Sequence, residues 1–264
     1  MNTCFCCEIF LIRYSICITN FNNALTLRSS LNSILHQIDE RFEVVVVDNL
    51  STDGSAEILK EYEKDGKIRL ISHKCSRGKG RQLAFENSIG TYVIANLDTD
   101  DIFEKNLFTI IKHYHRLCEG TFTWVVTMNR SGRQGGWVTI APREVIAKIG
   151  GWNDLQRGED WEIARRAFKI NLYRWGKFPL LVSNTIHSDM TALEKFRFSF
   201  VTQRDRMRIG RKAFGPGEHK TILQRLAEVL ALASLPFYEQ YKEGNAINFI
   251  RDDPKFYVDF QNDS

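Results

Sequence analysis

Three carboxylates crowd the run Leu97-Asp98-Thr99-Asp100-Asp101, directly after the apolar stretch that begins at Tyr92. Asp98, Asp100 and Asp101 repel one another unless a cation lies among them. Hard oxygen ligands at this spacing suit Mg2+ or Mn2+, and Mg2+ is commonly held by one or two carboxylates together with substrate phosphates rather than by a full protein cage. The chemistry open to this run is the capture of a metal-bound diphosphate. A simpler mechanical role is also open: Asp100 or Asp101 would cap the helix-like segment 103–117, where negative charge complements the helix dipole.

Further acidic and basic groups stand at comparable places. Asp48-Asn49 ends the apolar run Phe42-Glu43-Val44-Val45-Val46-Val47, and Glu159-Asp160 opens an amphipathic segment carrying Trp161, Ile163, Ala164, Ala167 and Phe168. Each acid is either a reactive group or a helix cap. The stretch Arg77-Gly78-Lys79-Gly80-Arg81 combines a helix start, small residues and three cations, which reads as an anion loop or as a solvated basic turn. His187 and Trp137 each read as a ligand-binding group or as ordinary satisfied structure.

The elements that position these residues alternate. A buried strand over 14–21 precedes a helix over 24–37, whose Leu27, Leu31, Ile34, Leu35 and Ile38 form one stripe. The strand over 42–47 is apolar throughout, as expected of a parallel strand covered on both faces. A helix over 56–63, a strand over 68–72, a helix over 81–87 and a strand over 92–97 follow. This order predicts a doubly wound α/β sheet, with ligands bound at the carboxyl ends of its strands. Neither G-x-G-x-x-G after the first strand nor a Walker A loop is present.

Taken together, the motifs resemble the family 2 glycosyltransferases of GT-A fold, over about residues 14–188. Thr19-Asn20-Phe21-Asn22 is similar to the family's P-T-Y-N, and the stretch from Glu43 to Gly54 to its E-I-I-V-V-D-D-G-S-T-D-G, with Asn49 replacing the second acid. Asp98-Thr99-Asp100 resembles its D-x-D motif, Gly150-Gly151-Trp152-Asn153 its G-G-F-D, and Glu159-Asp160 its later E-D pair. The resemblance implies an inverting transferase that moves a sugar from a UDP- or GDP-linked donor to a hydroxyl of a glycan or lipid-linked acceptor. It implies that Thr19, Phe21, Asp48 and Asp98 bind the donor nucleoside, with Lys79 or Arg81 assisting at the phosphates. Asp100, with His187 as an added ligand, would hold Mn2+ or Mg2+, and Asp160 would be the catalytic base. The alternatives are a non-catalytic relative that binds a nucleotide sugar or glycan, and a sugar-nucleotide pyrophosphorylase, whose basic glycine-rich N-terminal loop is missing.

The remaining features bound this reading. The 264 residues, 43% hydrophobic and 26% charged with net charge +4, are those of an ordinary globular chain with a mild preference for anionic partners, and nucleic acid is not expected. Six cysteines lack zinc spacing, which points to reduced thiols and a cytoplasmic or peripheral-membrane protein. No segment approaches about 18 uninterrupted apolar residues, so no transmembrane helix is expected. The chain divides into a tail over 1–13, the GT-A domain over 14–189 and a helical extension over 190–264. In that extension a basic helix over 193–209 carries Arg197, Arg204, Arg206 and Arg208, and an apolar helix over 219–235 needs a partner, either the catalytic domain, a second subunit or a membrane surface.

Overall fold

The computed structural model describes residues 13–128, 134–183, 191–209, 222–238 and 256–258. In chain order the elements are β1 (Tyr14–Asn20), α1 (Ala24–Leu35), β2 (Phe42–Asp48), α2 (Ser55–Lys64), β3 (Arg69–Ser72), α3 (Arg77–Glu86), β4 (Tyr92–Ala95) and β5 (Ile102–Phe103). They continue with α4 (Leu107–Leu117), β6 (Phe122–Met128), β7 (Gln134–Pro142), α5 (Arg143–Lys148), α6 (Glu159–Lys169), β8 (Tyr173–Ser183), α7 (Ala192–Arg208) and α8 (Ile222–Ser234). The strands form one sheet in the order β3-β2-β1-β4-β7-β6-β8-β5.

The half made of β3, β2, β1 and β4 is parallel, as the alternation predicts. Because successive side chains of a strand point to opposite faces, the apolar runs divide between two cores. Ile16, Ile18, Val44 and Val46 pack with Leu27 and Leu31 of α1, Leu59 of α2 and Ile110 of α4. Cys17, Val45 and Val47 face the other way, toward Ala84 of α3, Ile146 of α5 and Ile163 of α6. Each buried valine contributes about 1.5–3 kcal/mol, so an unbroken apolar strand is the stable choice only where both faces are covered.

The other half is not parallel. β7 runs antiparallel to both β4 and β6, while β8 lies parallel to β6. The sequence pattern predicts no element over 118–150, where the structure has β6, β7 and α5 among the described residues.

Several boundaries move for physical reasons. β4 stops at Ala95 because Asn96 turns the chain with a φ of 65°, a conformation that asparagine tolerates. The helix expected from Phe103 begins only at Leu107, with Asn106 before it, since Ile102 and Phe103 pair with Ser183 and Val182 as a short strand. Neither Asp100 nor Asp101 therefore caps that helix. The helix expected from Arg81 begins at Arg77, where Ser76 Oγ accepts from the Lys79 N–H at 3.1 Å. The glycine-rich basic stretch is thus the first turn of α3 rather than a loop. Gly78 is there because a side chain would meet the Asn153 and Leu155 carbonyls and the Glu159 side chain.

The basic helix of the extension is α7. Its charges do not form one solvent-facing band: Arg208 is buried, and both Arg204 and Arg208 lie over the Tyr238 ring. Among the described residues, no helix is long and apolar enough to cross a membrane.

Candidate functional site

The carboxyl ends of β1, β2 and β4 open into a cavity of about 450 Å3. Parallel register places Asn20, the last residue of β1, beside Asp48, the last of β2. Asn20 Nδ2 donates to Asp48 Oδ1 at 2.8 Å, and Thr99 Oγ1 donates to Asn20 Oδ1 at 3.0 Å. The acidic loop is anchored from α1 as well: Asn23 Nδ2 donates to Thr99 Oγ1 at 2.7 Å and Ser30 Oγ to the Asp98 carbonyl at 3.2 Å.

Thr19, Phe21, Asp98 and Asp100, all expected in a donor site, line this cavity. Asp48 does not. It is 1% exposed, and its two oxygens accept from Asn20, from the Ser51 hydroxyl at 2.6 Å and from the Ser51 N–H at 2.9 Å. The structure sets it behind the wall as the hub of the loops. Its neighbour Asn49 takes the lining position and accepts from the Cys75 N–H at 2.8 Å.

Asp98, Asp100 and Asp101 bring one carboxylate oxygen each within 4.8 Å of one another. Burial, aided by the neighbouring charges of Asp98 and Asp100, pushes the Asp101 carboxyl up to about 7. Three carboxylate oxygens this close form a donor set that fits a hard divalent ion.

The two cations expected at the phosphates are placed otherwise. Lys79 is on α3 and is absent from the cavity lining. Arg81 is 3% exposed, is ion-paired with Glu159 and approaches Asp98 at 3.7 Å. Its guanidinium therefore joins two acidic motifs rather than reaching into the cavity. Burial pushes the Glu159 carboxyl up to about 7 against the pull of Arg81.

Other cations line the cavity in their place: Arg77 at the start of α3, Arg157 in the loop before α6, and Arg197 on α7. Burial opposes the Arg77 charge, but Glu159, Asp98, Asp160 and Asp100 outweigh it and hold the guanidinium protonated more firmly than usual. For Arg157 burial dominates, with Arg77 acting in the same direction, and lowers its pKa from the ordinary arginine value.

Asp160 stands in the first turn of α6, outside the residues that line the cavity, and its Oδ1 accepts from the Trp161 N–H at 2.8 Å. The turn before it is braced by Arg166, which grips Glu162 at 2.7 Å and donates to the Gly151 carbonyl at 2.5 Å. Gly151 has a φ of 65°, and any side chain there would strike Gln82. Trp137 stacks on Trp124 with ring centroids 4.8 Å apart, packed against the core. His187 lies outside the described residues.

Of the three cations in the Arg77-Gly78-Lys79-Gly80-Arg81 stretch the structure brings Arg77 to the cavity, while sequence reasoning missed Asn20 as the bridge and Arg157 and Arg197 as lining cations. Arg157 immediately precedes the Gly158-Glu159-Asp160 motif, which is a usable signal; Arg197 belongs to the basic helix over 193–209, whose charges mark it without tying it to the site.

Residues 15–178 match the model of the family described as Glycosyl transferase family 2. Over 123 residues, 45% of this chain and 48% of the relative, the sequence is 31% identical to the putative teichuronic acid biosynthesis glycosyltransferase TuaG of Bacillus subtilis. Over 100 residues, 37% of this chain and 16% of the relative, it is 35% identical to an uncharacterized glycosyltransferase of Rickettsia felis. The chain spans less than half the length of either relative. Among solved structures, S. aureus TarS 1-349 in complex with UDP-GlcNAc aligns with a TM-score of 0.54 at 17% identity, covering 86% of this chain and 73% of that one. The mannosyltransferase PcManGT from Pyrobaculum calidifontis, in complex with GDP-Man and Mn2+, aligns at 0.57 and 18% identity, covering 84% and 69%. At these identities the likeness is one of fold, and that fold is GT-A.

Proposed function

The chain belongs to the family 2 glycosyltransferases, and from that premise we propose that it transfers a sugar from a nucleoside diphosphate sugar to an acceptor hydroxyl with inversion at the anomeric carbon. The observation that carries this reading is the convergence of Asp98, Asp100, Arg77 and Arg157 on one cavity at the carboxyl ends of the parallel strands. Acids alone would repel a diphosphate, and arginines alone would accept any anion. The two together favour a diphosphate accompanied by a divalent cation.

The nucleoside lies against Thr19, Phe21 and Asn49, with Asp48 holding the surrounding loops. The guanidiniums of Arg77 and Arg157 take phosphate oxygens, for which their planar forks are suited. Asp100, with Asp98 and Asp101 beside it, would hold Mn2+ or Mg2+. When bound, such an ion supplies Lewis acidity to the departing diphosphate. Asp160 takes the proton of the attacking acceptor hydroxyl. A single displacement from the face opposite the leaving group inverts the anomeric centre. The acceptor is a glycan or a lipid-linked sugar, and the domain boundary near residue 189 stands as part of this reading.

Calorimetric titration of UDP and GDP, with and without Mn2+, tests it on the wild-type chain and on Asp100→Ala. Mn2+-dependent binding of one nucleotide, lost in the variant, is expected. Absence of binding by both nucleotides under every metal condition would remove the transferase reading.

A further inference from the structure

Helix α7 lies beyond the residues that match the family model, yet it builds one wall of the cavity through Arg197, Phe198 and Val201. The Arg157 guanidinium lies over the Phe198 ring, 4.2 Å from its centroid, in the geometry of a cation–π contact. This contact joins the helix to the loop that precedes α6.

A second joint lies deeper. Asp205 of α7 is 0% exposed, and its Oδ2 accepts from the N–H groups of Gln156 at 2.9 Å and Arg157 at 3.1 Å. Its Oδ1 accepts from Arg204 Nε at 2.9 Å and Arg208 Nη1 at 3.2 Å. From α6, Arg165 Nη1 donates to the Ile209 carbonyl at 2.9 Å, just past the end of α7. Gln156 and Arg157 both line the cavity, so the buried carboxylate fixes the segment that presents them. A buried charge met by four donors, two of them cationic, holds one geometry firmly.

We propose that α7 is the wall that recognises the distal phosphate of the donor, with Arg197 and Arg157 as its contacts and Asp205 as the positioning residue. This rests on the nucleotide-sugar reading above. The end of the diphosphate concerned follows from Asp160. That carboxylate stands three residues beyond Arg157, in the first turn of the helix that the Arg157 loop enters. A base must stand close to the anomeric carbon, and the anomeric carbon is attached to the distal phosphate. Arg157, so close to Asp160 in the chain, is therefore at that end of the ligand, and Arg197, next to Phe198 on α7, lines the same cavity.

The test titrates UDP, UMP, GDP and GMP, each with Mn2+, into the wild-type chain and into Arg197→Ala, Phe198→Ala and Asp205→Asn. For whichever base the wild type binds, Arg197→Ala and Asp205→Asn should each weaken the diphosphate about tenfold while leaving the monophosphate within about twofold. Phe198→Ala should act in the same direction and less strongly. Equal losses for mono- and diphosphate would mark α7 as a merely structural support, and unchanged diphosphate affinity would remove it from the site; either overturns the proposal while the donor-site reading stands. Should Asp205→Asn not fold, the variants of the exposed Arg197 and Phe198 decide alone. If the wild type binds none of the four nucleotides, the parent reading fails first and this one with it.

Discussion

Asn20 Nδ2 lies 2.8 Å from Asp48 Oδ1, and the same side chain accepts from Thr99 at 3.0 Å, so one amide joins the end of β2 to the acidic loop after β4. Both ends of the link are buried. Replacing Asn20 by alanine leaves Asp48 short of a donor and Thr99 short of an acceptor, at a cost of about 1–3 kcal/mol. Asn20→Asp should be worse, because it sets two carboxylates against each other away from water. Denaturant unfolding of both variants ranks them, and equal stability of Asn20→Asp and wild type would contradict the bridging role.

Glu159 gives the chain a pH dependence with a defined sign. Burial raises its pKa from 4.5 to about 7, so the folded chain binds this proton more tightly than the unfolded chain. Its contribution is fully present below about pH 4.5 and is lost as the pH rises through about 7. Against Glu159→Gln, which cannot ionise, the wild type should lose on the order of 3 kcal/mol of relative stability across that window. Unfolding measured for both chains at several pH values reads the difference directly, and a flat difference would show that Glu159 does not titrate there.

Glycine to alanine within a helix ordinarily gains about 1 kcal/mol. At Gly78 the sign should reverse, since the new methyl group falls on the Asn153 carbonyl oxygen and near Leu155 and Glu159. Gly78→Ala is expected to lose about 1–3 kcal/mol through backbone displacement. The loop before α6 must then shift, so donor affinity should fall as well. A stabilised Gly78→Ala chain would mean that the contact between α3 and the loop is looser than it is here.

Asp160 should separate chemistry from binding. Asp160→Asn keeps the shape of the α6 turn but removes the proposed proton acceptor. A fall of about 10²–10⁴-fold in kcat, with donor affinity within about twofold, is expected from transfer assays and nucleotide titration run side by side. Full turnover in the variant would assign the base elsewhere.

Legibility in the sequence followed the locality of the forces. The run Val44-Val45-Val46-Val47 announces a strand covered on both faces, and the acids that follow Val47 and Leu97 announce its functional end. β6 and β7 are consecutive in the chain and pair antiparallel, yet neither shows a strand pattern: Phe122–Met128 mixes apolar residues with threonines, and Gln134–Pro142 opens on Gln134-Gly135-Gly136. Arg77-Gly78-Lys79-Gly80-Arg81 looked like an anion loop because glycine and charge recur there. What decides its structure is the Ser76 cap, which accepts from the Lys79 N–H, together with the Asn153 and Leu155 backbone packed against Gly78, far away in sequence.

By itself the sequence determined the alternation of strand and helix, the parallel half of the sheet and the family to which the motifs belong, because hydrophobic period and strand-end chemistry act over a few residues. The tertiary structure alone decided which charges face the ligand cavity. Arg81 turns inward because Glu159 lies within reach of it across the fold. Asp48 is withdrawn because Asn20 and Ser51 occupy its oxygens. Arg197 is brought in because Asp205, eight residues further along α7, is bonded to the backbone of the loop before α6. A charge takes its role from the partners that folding brings to it, and those partners are distant in the chain.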